Sequence, residues 1–160
     1  MTHNPAPESD EAHAFYLDKS DPAAWKAINA FALAVRKATD DAGLPRDVVE
    51  LAAVRISQIN GCAYCLDLHG RLAAEAGVSA RKLNVLPAWR EAGVYTVLER
   101  AALDIAEAVT LLPEDEERIA ALSRARAELG DARYSALSWA AISMNAFNRL
   151  SIVSRHKVTP

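Results

Sequence analysis

Glycine and proline punctuate this chain at intervals that suit helices and leave almost no room for strands. Asp21-Pro22 opens a helix that Gly43 closes, Pro45 opens a second that runs to Asn60-Gly61, and Gly77 ends a third. Ser79 caps a short helix before Pro87, and Val94, Val97, Leu98, Ala101, Ile105, Ala108 and Leu112 keep an apolar stripe at helical spacing up to Pro113. A further helix spans roughly Glu114 to Leu129, stopped by Gly130. Asp131 then caps a long final helix through Leu137, Ala141, Met144, Phe147 and Ile152. The abundance of Ala, Leu, Arg and Glu agrees, because these side chains lose little freedom in a helix. The expected fold is all-α, with no βαβ unit.

At 160 residues and 51% hydrophobic content, the chain suffices for one domain that buries most of its surface. We place that domain at residues 21–160, behind an N-terminal arm of residues 1–20. The arm carries Pro5, Pro7 and a polar, acidic run, and its one apolar patch, Phe15, Tyr16 and Leu17, is a candidate for docking on a neighbouring subunit. A net charge of −3 with both signs interspersed leaves no basic face for nucleic acid. The first residues lack a charged and then apolar leader pattern, and no apolar run is long enough to cross a bilayer. The expectation is a soluble, cytoplasmic protein with no nucleic-acid or membrane partner. In a reducing cytosol a lone cysteine pair reads as a redox or metal site before it reads as a staple.

Cys62 and Cys65 are that pair, the only cysteines of the chain, in the pattern Glu50-x11-Cys62-Ala-Tyr-Cys65-x3-His69. At 100° per residue Cys62, Cys65, Leu66, His69, Ala73 and Ala76 share one side of the third helix, while Asp67, Arg71 and Glu75 share the other. If the Asn60-Gly61 turn folds this helix back along the second, Glu50 and His69 come level, each on the order of 12–15 Å from the turn. The inferred order is Glu50, His69, Cys65, Cys62: a carboxylate orients an imidazole that reaches back about one turn to a thiol. A cysteine in the first turn of a helix beside imidazolium has its pKa lowered. Thiolate attack on a peroxide gives a sulfenic acid, which a second cysteine condenses with to a disulfide, and an external dithiol resets the pair. Such a cycle needs no metal and no organic cofactor. Two small core residues and a zinc site are the competing readings of the pair, but two Cys and one His lack a fourth ligand for a closed structural site. His3, His13 and His156 read as solvated tail residues. Asn145, Asn148 and Arg149 read as fold or interface locks on the last helix. Trp139, Met144, Phe147 and Ile152 make that helix apolar over more of its circumference than one core contact needs, which points to a homo-oligomer.

The stretch from Glu50 to Gly77 resembles the core motif of the alkylhydroperoxidase AhpD-like proteins, within the carboxymuconolactone decarboxylase superfamily. The segments Glu99-Arg-Ala-Ala-Leu and Asn148-Arg149-Leu150 are similar to that family as well. The resemblance implies an all-α helical bundle with a central helical hairpin that carries the Cys-x-x-Cys motif, assembled as a trimer or hexamer. It also implies thiol peroxidase activity on a small-molecule hydroperoxide, with an external dithiol reductant. In its terms Cys65 matches the peroxidatic cysteine, Cys62 the resolving one, and Glu50 and His69 the proton-relay pair. One position departs: the family's best-studied branch has a histidine before the second cysteine, and here that residue is Tyr64, read as a packing residue. A non-catalytic redox-sensing or binding module of the same fold is the alternative. So is a decarboxylase of the superfamily's ring-cleavage type, which acts on a lactone acid without a cysteine pair.

Overall fold

The computed structural model describes residues 15–159, and these form helices and connecting turns, with no strand among them. In chain order the helices are α1 Leu17–Ser20, α2 Pro22–Asp41, α3 Arg46–Asn60, α4 Ala63–Glu75, α5 Ala80–Val85, α6 Val97–Leu111 and α7 Asp115–Val153. A 3-10 turn, Leu86–Ala88, follows α5.

The local chemistry explains the boundaries. Asp21 accepts hydrogen bonds from the Ala23 and Ala24 N–H groups with Pro22 behind it, so α2 starts with two of its free donors satisfied. Gly61 closes α3 at φ 68°, ψ 30°, a left-handed conformation that costs glycine nothing and lets the chain reverse into α4. The expected helix beginning near Val94 starts instead at Val97. The Thr96 hydroxyl accepts from Glu99 N–H while the Glu99 carboxylate accepts from Thr96 N–H, a reciprocal cap that fixes the first turn there. Gly130 does interrupt the last helix, at φ 72° and ψ 165°. Asp131 is not its cap: it is already helical, and its carboxylate accepts from Arg126 Nε, tying the two segments together across the break.

Helix α3 lies at the centre, against α4, α6 and α7, and α2 lies along α7. Its Leu51, Ala52, Val54 and Ile56 are all buried, so it is enclosed on nearly every side. One core cluster joins Val48, Ala52, Ile56, Ile105, Leu137 and Met144 with both cysteines. A second gathers Leu51, Val54, Leu86, Trp89 and Leu103 under the turn after α5. Polar groups lock these layers in register. Asn60 Nδ2 donates to Asn145 and Asn148, each at 2.9 Å, and Asn148 Nδ2 donates to Ser57 at 3.1 Å, so the expected asparagine locks fasten α3 to α7. Glu107 accepts from Arg55, Trp89 and Arg90 at 2.8–2.9 Å. Burial alone would raise its pKa, but these hydrogen bonds win and hold its carboxyl below the usual range.

Met144 and Phe147 turn toward the molecule's own core, whereas Trp139 stays half exposed with Ile142, Ile152 and Val153. Phe31 and Trp25 of α2 meet Trp139 and Phe147 edge-on. No helix among the described residues is long and apolar enough to cross a membrane.

Candidate active site

The α3–α4 hairpin brings the expected side chains together. Glu50 Oε2 lies 2.7 Å from His69 Nδ1, with Glu50 only 2% exposed, and Arg46, one turn earlier on α3, pairs with the other carboxylate oxygen. A carboxylate held this way accepts the Nδ1–H, which leaves Nε2 as the nitrogen able to take up a proton. His69 is 20% exposed, so it connects a buried acid to a reachable face.

Cys62 is the N-cap of α4, and Cys65 stands one turn in. Cys65 N–H points to the Cys62 sulfur at 3.4 Å, and the two sulfurs are 2.8 Å apart as free thiols, 2% and 3% exposed. The local reason is the reversal at Gly61: Cys62 N–H reaches back to the Ser57 carbonyl at 3.1 Å, which closes α3 and sets the first turn of α4 in one motif.

At Cys62 the surroundings oppose ionisation. Burial pushes its thiol up from the ordinary 9.0 to about 11, the Cys65 side chain adds to this, and the Cys65 N–H and the Ser151 hydroxyl oppose it without prevailing. Of the inferred order, Glu50 contacts His69 and Cys65 contacts Cys62. His69 and Cys65 are four residues apart on α4 and border the same cavity.

That cavity is about 320 Å³, open on one side, and walled by Val35, Val49, Ile56, Leu68, Met144 and Phe147. Arg46, Glu50, His69, Cys65 and Ser151 supply its reactive and polar edge. Tyr64 also lines it and is 40% exposed, with its ring edge-on to His156 at 5.5 Å between centroids, so the packing expected of Tyr64 is packing against an imidazole. Among the described residues no three His, Cys, Asp or Glu side chains converge as a metal-holding group.

A family model for carboxymuconolactone decarboxylases matches residues 22–108, more than half of the chain, from the start of α2 into α6. The chain belongs to the carboxymuconolactone decarboxylase family. It is similar to the Bacillus subtilis protein YdfG, which is uncharacterized, with 33% identity over 118 residues, 74% of this chain and 80% of YdfG. Uncharacterized YnjA of Escherichia coli is 35% identical over 66 residues, 41% of this chain and 36% of YnjA. A crystal structure from Agrobacterium tumefaciens superimposes with a TM-score of 0.81 and 31% identity, covering 92% of this chain and 98% of that one. It is described as a protein of unknown function, suggested to be the antioxidant defence protein AhpD. The AhpD-like branch of the carboxymuconolactone decarboxylase superfamily is therefore where this chain sits, with its all-α fold.

One residue near the site was misread from the sequence. His156 is not a solvated tail residue: its side chain is 19% exposed, and it contacts Asp18, Ser151, Tyr16 and Tyr64. His3 and His13, like most of the arm, lie outside the described residues.

Proposed function

We propose that this chain is a thiol-dependent peroxidase that reduces small organic hydroperoxides through a Cys65/Cys62 dithiol–disulfide cycle. One observation carries this reading: two free thiols in contact, one of them lining the same apolar cavity as a carboxylate–imidazole pair. His69 takes the Cys65 proton, and the thiolate attacks the outer peroxide oxygen. The O–O bond breaks, and the departing alkoxide leaves as an alcohol with the proton from His69, so Cys65 becomes a sulfenic acid. Cys62 then attacks that sulfur, water is lost, and a disulfide forms. An external dithiol, supplied by a reducing cytoplasm, returns both thiols by exchange.

The division of labour follows the environment. Cys62, with its raised pKa, waits as a thiol, and Cys65, on the cavity wall within a turn of His69, meets the oxidant. The apolar lining suits the organic part of a hydroperoxide better than a multiply charged lactone acid. Assembly into a homo-oligomer, a trimer or hexamer, belongs to the same reading and is supported by the apolar side chains left exposed on α7.

Peroxide turnover with a dithiol donor tests the assignment. A Cys65→Ser chain is expected to lose consumption altogether, and a Cys62→Ser chain to stop after one equivalent with a trappable sulfenic acid. Unchanged turnover in the Cys65→Ser chain would refute the reading. Disulfide formation that no dithiol donor reverses would favour a redox-sensing module.

A further inference from the structure

The thiol-peroxidase reading leaves one proton unplaced. When Cys62 attacks the sulfenic acid it must give up its own proton, and burial holds that proton tightly. Glu50 and His69 share their cavity wall with Cys65, the other sulfur. On the Cys62 side the polar group that favours the thiolate is the Ser151 hydroxyl, which is buried and lines the same cavity as Cys65.

Ser151 does not end the chain of contacts. Its Oγ lies 3.3 Å from His156 Nδ1, and His156 Nε2 lies 3.2 Å from Asp18 Oδ1. The backbone builds this deliberately. Arg155 takes φ 54°, a left-handed conformation unusual outside glycine, and the His156 N–H returns to the Ser151 carbonyl at 3.0 Å, folding the imidazole back over the serine. The N-terminal segment is fastened to the same place, since Leu17 N–H donates to Ser154 Oγ at 3.1 Å and Tyr16 stacks on His156. The left-handed Arg155 and the convergence of residues 16–18 and 151–156 around one imidazole are more than the packing of a surface tail requires. The His156 ring also lies edge-on to Tyr64, the residue before Cys65, so this imidazole borders the Cys-x-x-Cys turn.

We propose that Ser151, His156 and Asp18 form a second proton path, which takes the thiol proton from Cys62 and delivers it to solvent while the disulfide forms. Ser151 touches the reacting thiol, and His156 and Asp18 are positioning residues that act through it. Asp18 accepts the Nε2–H and so presents Nδ1 as an acceptor to the Ser151 hydroxyl. The Cys62 S–H proton passes to Ser151 Oγ as the Ser151 proton passes to Nδ1. The Cys62 sulfur forms the S–S bond and the Cys65 S–O bond breaks. The hydroxide leaves through the cavity, and the proton that His156, partly exposed, gives up to solvent neutralises it to water. The net change is one sulfenic acid and one thiol to one disulfide and one water.

Rapid mixing with hydroperoxide separates the steps, with sulfenic acid followed by trapping and the disulfide by mass. The His156→Gln and Ser151→Ala chains, checked for folding by circular dichroism, are expected to convert sulfenic acid to disulfide about tenfold more slowly than the unaltered chain. In a His156→Ala chain, added imidazole is expected to restore the rate, which a purely structural role would not allow. Equal conversion rates in all chains, or no rescue by imidazole, would overturn the proposal. A second measurement stands apart from peroxidase activity. In a Cys65→Ser background, Cys62 labelling by methyl methanethiosulfonate at neutral pH should slow about tenfold on adding His156→Gln, and an unchanged rate counts against the path. If peroxide leaves the unaltered chain untouched while this labelling still depends on His156, the peroxidase reading fails and the proton path stands.

Discussion

Cys62 is kept as a thiol by the same burial that seats it against Cys65, and this has a measurable consequence. Its proton is held to about pH 11 where a free cysteine would lose it near 9.0, so raising the pH releases the reactive thiolate late. Alkylation of Cys62, followed by peptide mapping, is expected to quicken through pH 9 and level off only toward pH 11; a plateau below pH 9 would contradict the buried-thiol account. Glu50→Gln removes the charge that orients His69, and peroxide turnover is expected to fall by about 10²-fold, read as initial rate. Glu50 and His69 were legible in the sequence because a hairpin's turn fixes which residues lie level. The Cys62 pKa was not, since a helix-start position argues for a lowered value and only the packed environment shows that desolvation wins. His156 was equally hidden. Its contact with Asp18 spans 138 residues, and no local pattern announces where two chain ends meet.

At the scale of elements, the break in α7 rests on a single backbone conformation. Gly130 at φ 72°, ψ 165° occupies a region that is nearly closed to residues with a Cβ, although open space surrounds it. Gly130→Ala should therefore cost about 1–3 kcal/mol through the backbone alone, measured as a shift in urea unfolding; no change would mean the break is not required. Glu107 gives a second test of how elements are joined. Its carboxyl is held below the usual range, so the stability it contributes is present above its ordinary pKa of 4.5 and is lost as pH falls through the lowered value. A Glu107→Gln chain is expected to unfold at lower denaturant than the unaltered chain at neutral pH, with the gap closing in acid. Helix number and order were readable because Gly, Pro and cap residues act locally. The start of α6 was placed three residues early because the apolar stripe reaches back to Val94. The Thr96-x-x-Glu99 box, which decides the boundary, was present in the sequence as a signal to be weighed above periodicity.

The whole molecule places a central hairpin so that its reactive face opens into a cavity closed by α2 and α7. Pattern alone located the hairpin but not the cavity, whose walls come from helices far apart in sequence. The sequence likewise marked α7 as apolar beyond one core contact without showing how those side chains divide between core and surface. Met144 and Phe147 serve the chain's own core, leaving Trp139, Ile142 and Val153 outward at near-helical spacing. Light scattering should give a mass that is a multiple of 17.3 kDa, and Trp139→Glu should shift it toward the single-chain value; a monomeric unaltered chain would remove the basis for assembly through this face. The central claim concerns the two sulfurs themselves. Treatment with one equivalent of organic hydroperoxide, followed by mass spectrometry of the tryptic peptide carrying both cysteines, is expected to show that peptide lighter by two hydrogens, with both thiols gone. Two intact thiols after that treatment would contradict it.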